Sequence, residues 1–182
     1  MAHLPLEELL AKFQAANAAG DASHSGLDQL RSYRELAEAC PAFTPNLLRL
    51  ARLLRLVDEP GTEAEAMLTE VHRLLERAVQ ASDRSADALI ELGYFLDTHR
   101  HEPAQARKLL EEGAAKALSS LEDAWAGLIR HLEMEKQLPQ ALELSARAEQ
   151  LFPQSGRIMG AVSDARQAAG STGLLPPEAM EP

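Results

Sequence analysis

Apolar residues recur at spacings of three and four along almost the whole chain, and the breaks between the runs carry helix start and stop chemistry rather than hairpin turns. The stretch from Trp125 to Pro153, WAGLIRHLEMEKQLPQALELSARAEQLFP, shows this most clearly. Trp125, Leu128 and Leu132 share one helical face, Ala141 and Ala148 lie on a second helix opening at Pro139, and Pro153 ends it. Such a segment is a helix hairpin built to stack on its neighbours. With one Trp, two Tyr and four Phe in 182 residues, the core must be filled by Leu and Ala, which are strong helix formers and poor strand formers. An all-α protein is expected.

The breaks predict about nine helices. The first runs from about Pro5 to Ala19 and stops at Gly20; Ser25 with Asp28 resembles a capping box opening the second, which ends where Cys40 precedes Pro41. Thr44 caps a third helix with Pro45 at its first position, and Asp58-Glu59-Pro60-Gly61 breaks it after Val57. Thr62 with Glu65 starts the fourth, and the fifth spans about Ser85 to Thr98. The sixth opens at Pro103, the seventh at Ser120 with Asp123, the eighth at Pro139, and a ninth from Ser155 to Ala169 covers the last hairpin. Residues 170–182, GSTGLLPPEAMEP, read as a disordered tail.

Leu89, Leu92, Gly93 and Leu96, followed by Ala106, Leu110 and Ala114, place small residues where two helices must cross closely, and Trp125 begins the next such unit. Leu47, Leu50, Ala51 and Leu54 with Val71, Leu75 and Ala78 repeat the pattern earlier, and Leu6, Leu9, Phe13 and Tyr33 make a weaker version. On these residues the chain resembles the tetratricopeptide repeat family, most clearly from Thr44 to Ala169. The resemblance implies a right-handed α-solenoid of antiparallel helix hairpins over residues 1–169. Hairpins 4–40 and 44–81 are irregular, repeats 85–118 and 121–153 match better, and 155–169 is a capping helix. Another helical repeat type for the first half stays open, because the hairpin spacing there exceeds the family's. Ile129 stands where the family pattern has glycine, with Gly127 two residues earlier.

Function follows from the same resemblance, which implies a concave groove lined by the first helix of each hairpin. Carried over position by position, the groove contains Leu48, Arg52, Arg55 and Leu56, then Asp87, Ile90, Tyr94, Asp97 and Thr98, then Asp123, Ala126, Arg130, Glu133 and Met134. Of these, Arg52, Arg55, Ile90, Tyr94, Asp97, Arg130 and Met134 are the peptide-binding candidates. Residues 41–57 carry Arg49, Arg52 and Arg55 on one stripe and no acid, in a chain of net charge −10. Guanidinium forks suit carboxylates, so an acidic peptide or a chain terminus is a fitting ligand. The plainer alternative is that these arginines pair with acids on a neighbouring helix. The lysine and asparagine by which chaperone-binding members hold a terminal carboxylate are missing at the matching positions, Leu48 and Arg52, Ile90 and Tyr94, and Ala126 and Arg130.

The remaining classes are narrowed by charge and motif. A strongly acidic chain is a poor general nucleic-acid or anionic-membrane binder, since phosphate neutralisation needs Lys and Arg. No apolar run approaches the roughly 20 residues that span a bilayer. Cys40 is the only cysteine and the start lacks a secretory signal pattern, so a cytoplasmic location is expected. No phosphate loop or nucleophile elbow is present, and no cofactor is called for. The expected function is a non-catalytic scaffold or adaptor for a peptide or protein segment. Three other readings are a dedicated chaperone for a secreted or assembly client, self-association, and a metal-dependent hydrolase using His99 and His101 beside Asp97 and Glu102.

Overall fold

The computed structural model describes residues 5–22 and 26–175. These form eight α-helices and no strand: α1 Leu6–Ala22, α2 Leu27–Ala39, α3 Thr44–Leu54, α4 Ala64–Ala81, α5 Ala86–Phe95, α6 Pro103–Met134, α7 Leu138–Leu151 and α8 Gly156–Ser171. A π-helical turn, Leu96–Arg100, extends α5, and His101 closes it in the left-handed region at φ 55°. No helix among the described residues is long and apolar enough to cross a membrane. The cap expected at Ser25 and residues 176–182 of the expected tail lie outside the described residues. Gly170 and Ser171, at the start of that tail, complete α8, and a turn follows to Leu175.

The expected break at Ser120 is absent, and this reduces nine helices to eight. Residues 114–124 contain neither Pro nor Gly, so nothing removes a backbone donor or frees the chain to turn. The Ser120 hydroxyl donates to the Lys116 carbonyl one turn back at 3.0 Å, the way serine is accommodated inside a helix. Asp123, read as its capping partner, instead pairs with Arg157. Thr62 departs from its expected role in the same way: Glu63 holds the N-cap of α4 without a side-chain hydrogen bond, and the Thr62 N–H donates to the Glu59 carbonyl at 3.1 Å in the turn before the helix.

The chain divides into two compact units, Met1–Ala115 and Lys116–Pro182, with α6 running through the division. In the first, each of α1 to α5 packs on its neighbour in the chain and α3 also touches α5. Leu47, Leu50, Val71, Leu75, Leu89 and Phe95 are its fully buried centre. Gly93 is required there: a Cβ would lie 2.8 Å from Leu110 and 3.3 Å from the Ala106 carbonyl. Gly113 is equally tight against Ile90, at 2.8 Å. The second unit packs Ala126 and Ile129 of α6 against Ala141, Ala148 and Phe152 and against Ile158, Ala161, Val162 and Ala165 of α8. Trp125, half-buried, meets the Phe152 ring edge-on at 6.2 Å. Ile129 is fully buried, and a Cβ on Gly127 would touch nothing, so the departure from the family pattern costs no packing here. Ser155 caps α8 by accepting from the Ile158 N–H at 3.1 Å while donating to Glu122.

Candidate protein-binding surface

The arginine stripe of α3 lands beside α5, and Glu91 meets it. Arg52 donates through Nε to one Glu91 oxygen at 2.8 Å, and Arg55 reaches the other at 2.9 Å. Glu91 keeps only 16% of its side chain exposed, so the low-dielectric setting strengthens both contacts. Two of the three arginines are thus committed to an intramolecular acid, as in the alternative weighed from sequence. A sequence signal for Glu91 existed: it lies 39 and 36 residues after its partners, about one repeat length on.

Arg49 is different. It is exposed on α3 and, among the described residues, has no carboxylate partner. Its charge acts on the Tyr33 hydroxyl, whose pKa burial raises and Arg49 partly lowers again. That hydroxyl donates to Asn17 Oδ1 at 2.6 Å, and Gln29 Nε2 donates to the Ala16 carbonyl at 3.0 Å. These groups, with Arg52, Leu53 and Leu56, line an open cleft of about 420 Å³. Asn17, Gln29 and Tyr33 were not singled out for this role, because only the packing of α1, α2 and α3 gathers residues so far apart in the chain.

The other groove candidates scatter. Tyr94, 56% exposed, follows Glu91 on α5, and Leu56, 82% exposed, follows Arg55. Asp97 and Thr98 are exposed beyond Tyr94, whereas Ile90 is half-buried against Gly113 of α6. Leu48 and Ala126, which the family mapping places in the groove, are buried at 5% and 2% exposure and belong to the two cores. Arg130 and Met134 are exposed in the second unit.

The histidine loop does not assemble a metal site: no group of three or more His, Cys, Asp and Glu side chains among the described residues could hold an ion. His99 lies tilted against Phe95, with ring centroids 5.4 Å apart. Burial lowers its pKa, and the charges of Arg55, Arg100 and His101 lower it further. His72 meets the same ring at a tilt of 46°, with centroids 5.5 Å apart. These imidazoles serve as packing groups around a buried aromatic.

Helix packed on helix, glycine at the tight crossings, and exposed apolar side chains beside a charged bridge define a helical-repeat protein of the kind that serves as an interaction scaffold. The chain belongs to the tetratricopeptide repeat family. A Myxococcota tetratricopeptide repeat protein family matches residues 1–83. An uncharacterized 18.1 kDa protein in the carS 3' region of Myxococcus xanthus is 38% identical over 169 residues, which is 93% of this chain and 98% of that relative. The family match falls on the half whose hairpins looked least regular from sequence, so the relationship extends ahead of Thr44.

Proposed function

We propose that the chain is a non-catalytic adaptor that docks a segment of another protein on the exposed surface of α3 and α5. The observation that carries this reading is the Arg52–Glu91–Arg55 bridge flanked by two exposed side chains, Leu56 in the turn that ends α3 and Tyr94 on α5. An aromatic and a leucine beside fixed arginines are the composition of a protein-binding patch, where apolar anchors supply affinity and charges set register. The bridge itself is preorganised, so docking does not have to immobilise two long side chains. A dedicated chaperone would call for a mainly apolar groove, and this surface is mixed, which favours the adaptor. The cytoplasm is the proposed compartment, in keeping with the free thiol of Cys40.

The test is affinity capture from native lysate with the full chain, comparing wild type with a Leu56→Glu, Tyr94→Glu double variant and identifying retained proteins by mass spectrometry. A protein held by wild type and lost by the variant is the expected result. Equal retention would move the site elsewhere on the molecule. If nothing is retained and light scattering shows mass rising with concentration, self-association replaces the adaptor reading.

A further inference from the structure

Three arginines on one stripe do not share one role. Arg52 and Arg55 present their charge to Glu91, which leaves the local balance positive by one, and Arg49 adds a second uncompensated charge one turn away. Beside Arg49 the cleft offers a donor whose direction is already fixed. Because Asn17 Oδ1 accepts from Tyr33, the amide nitrogen of Asn17 is the part left to meet a ligand. Gln29, also in the lining, is tied to α1 by its bond to the Ala16 carbonyl. Next to Arg49, four and seven residues on along the same helical face, the lining is apolar, with Leu53 half-buried and Leu56 82% exposed. A cation, an aimed amide donor and an exposed leucine together match a carboxylate carried next to an apolar side chain.

We infer that the cleft of Asn17, Tyr33, Arg49, Leu53 and Leu56 is an acid-recognising subsite, which takes an Asp or Glu side chain of the docked protein segment on Arg49 and its apolar neighbour on Leu56. This inference rests on the adaptor reading and names the chemistry of the partner. A carboxylate fits better than a neutral polar group for two reasons. The guanidinium gains a charge-assisted, two-pronged contact, and no Asp or Glu is among the residues that line the cleft to repel it. Arg52 and Arg55, the groove candidates of the arginine stripe, become framework residues, and selectivity moves one turn back to Arg49.

The experiment uses the full chain and a randomised library of short peptides blocked at both ends, each acidic member paired with its Glu→Gln or Asp→Asn counterpart. Wild type is expected to favour the carboxylate member about tenfold where it is followed or preceded by an apolar residue. Arg49→Gln should abolish that preference with an unchanged circular dichroism spectrum. Arg49→Lys should keep part of it, because lysine retains the charge and loses the fork. Arg107→Gln, a control in an exposed pair with Glu111, should change nothing. A preference that survives Arg49→Gln overturns the subsite. Wild type binding acidic and amide peptides equally also overturns it, while leaving segment docking intact. Wild type retaining no peptide at all overturns both readings.

Discussion

Between Cys40 and Pro45 the chain leaves one helix and starts another, whereas between Lys116 and Asp123 it continues through, although both places carry residues that favour helix ends. The first contains Pro41, which keeps Cys40 in an extended, non-helical conformation, and Pro45, which lacks a backbone donor where the first turn of α3 needs none. Arg77 of α4 serves the carbonyls left at this break, donating to Pro41 at 2.9 Å and to Ala37 near the end of α2 at 3.4 Å, and Asn46 ties α3 to α2 by donating to the Tyr33 carbonyl at 3.0 Å. The second offers only Ser119, Ser120 and Asp123, flanked by Ala and Leu. A capping residue permits a helix to start but does not compel the previous one to stop. When nothing compels the stop, the intrahelical hydrogen bonds win and serine folds its hydroxyl onto its own turn.

The contrast is broken most directly by moving a proline. If a helix began after Ser120, Leu121 would occupy its first position, where proline is tolerated. In the continuous α6, Leu121→Pro removes an interior hydrogen bond and clashes with the preceding turn, at a cost of about 3 kcal/mol or more. Urea denaturation monitored by helical circular dichroism should show that loss. A variant as stable as wild type would restore the break that the sequence suggested.

The next effect asks what fixes the part of α6 that lies beyond the missing break. Ala126 and Ile129 face α7 and α8, and Trp125 lies at the border against Phe152. Because Trp125 is only half-buried, Trp125→Ala should cost about 2 to 3 kcal/mol, below the range for a fully buried aromatic. A loss under about 0.5 kcal/mol, in the range of an ordinary surface substitution, would mean that propensity alone holds this turn.

These two places also mark how far the sequence could be read. Helix type was legible throughout from the spacing of Leu and Ala, and every proline boundary was found, because proline acts locally and without regard to context. Gly93 was recognised as a crossing residue, and its close approach to Leu110 is the physical reason. What escaped was whatever depends on a partner distant in the chain. Glu91 decides the fate of Arg52 and Arg55, and no local pattern on α3 announces it. The cleft at Arg49 is assembled from three helices, and Ile90 turned toward Gly113 because the crossing there is tight.

The broken region has its own lock, which supplies a third, smaller effect. Arg34 of α2 binds Glu59 in the loop after α3 at 2.7 Å and Glu70 of α4 at 2.8 Å, so one guanidinium ties three successive segments. Arg34→Ala should cost about 1 to 2 kcal/mol, since the group keeps 30% of its side chain exposed. The bond from Arg34 holds the Glu59 carboxyl below its ordinary value of 4.5. A carboxyl depressed in the folded state stabilises the fold above its unfolded pKa, and that stability is lost as pH falls through the lower folded value. Wild type should therefore lose more stability than Glu59→Gln on acidification below about pH 4.5, measured by urea midpoints across that range. Parallel curves for the two proteins would remove the lock.

The smallest effect separates a framework arginine from its acid. Arg52 has 44% of its side chain exposed, and Arg52→Ala should change stability by no more than about 0.5 kcal/mol, as expected for a largely solvated pair. Glu91→Gln should cost more, about 1 kcal/mol, although it deletes a single charge as well. It leaves Arg55, only 19% exposed, without its charged acceptor and beside Arg52, so two cations repel where a carboxylate had held them. Urea midpoints of the two variants decide the order. If Arg52→Ala proves the costlier change, Glu91 does not bridge the two arginines in solution, and Arg52 returns alongside Arg49 as an acid-binding residue.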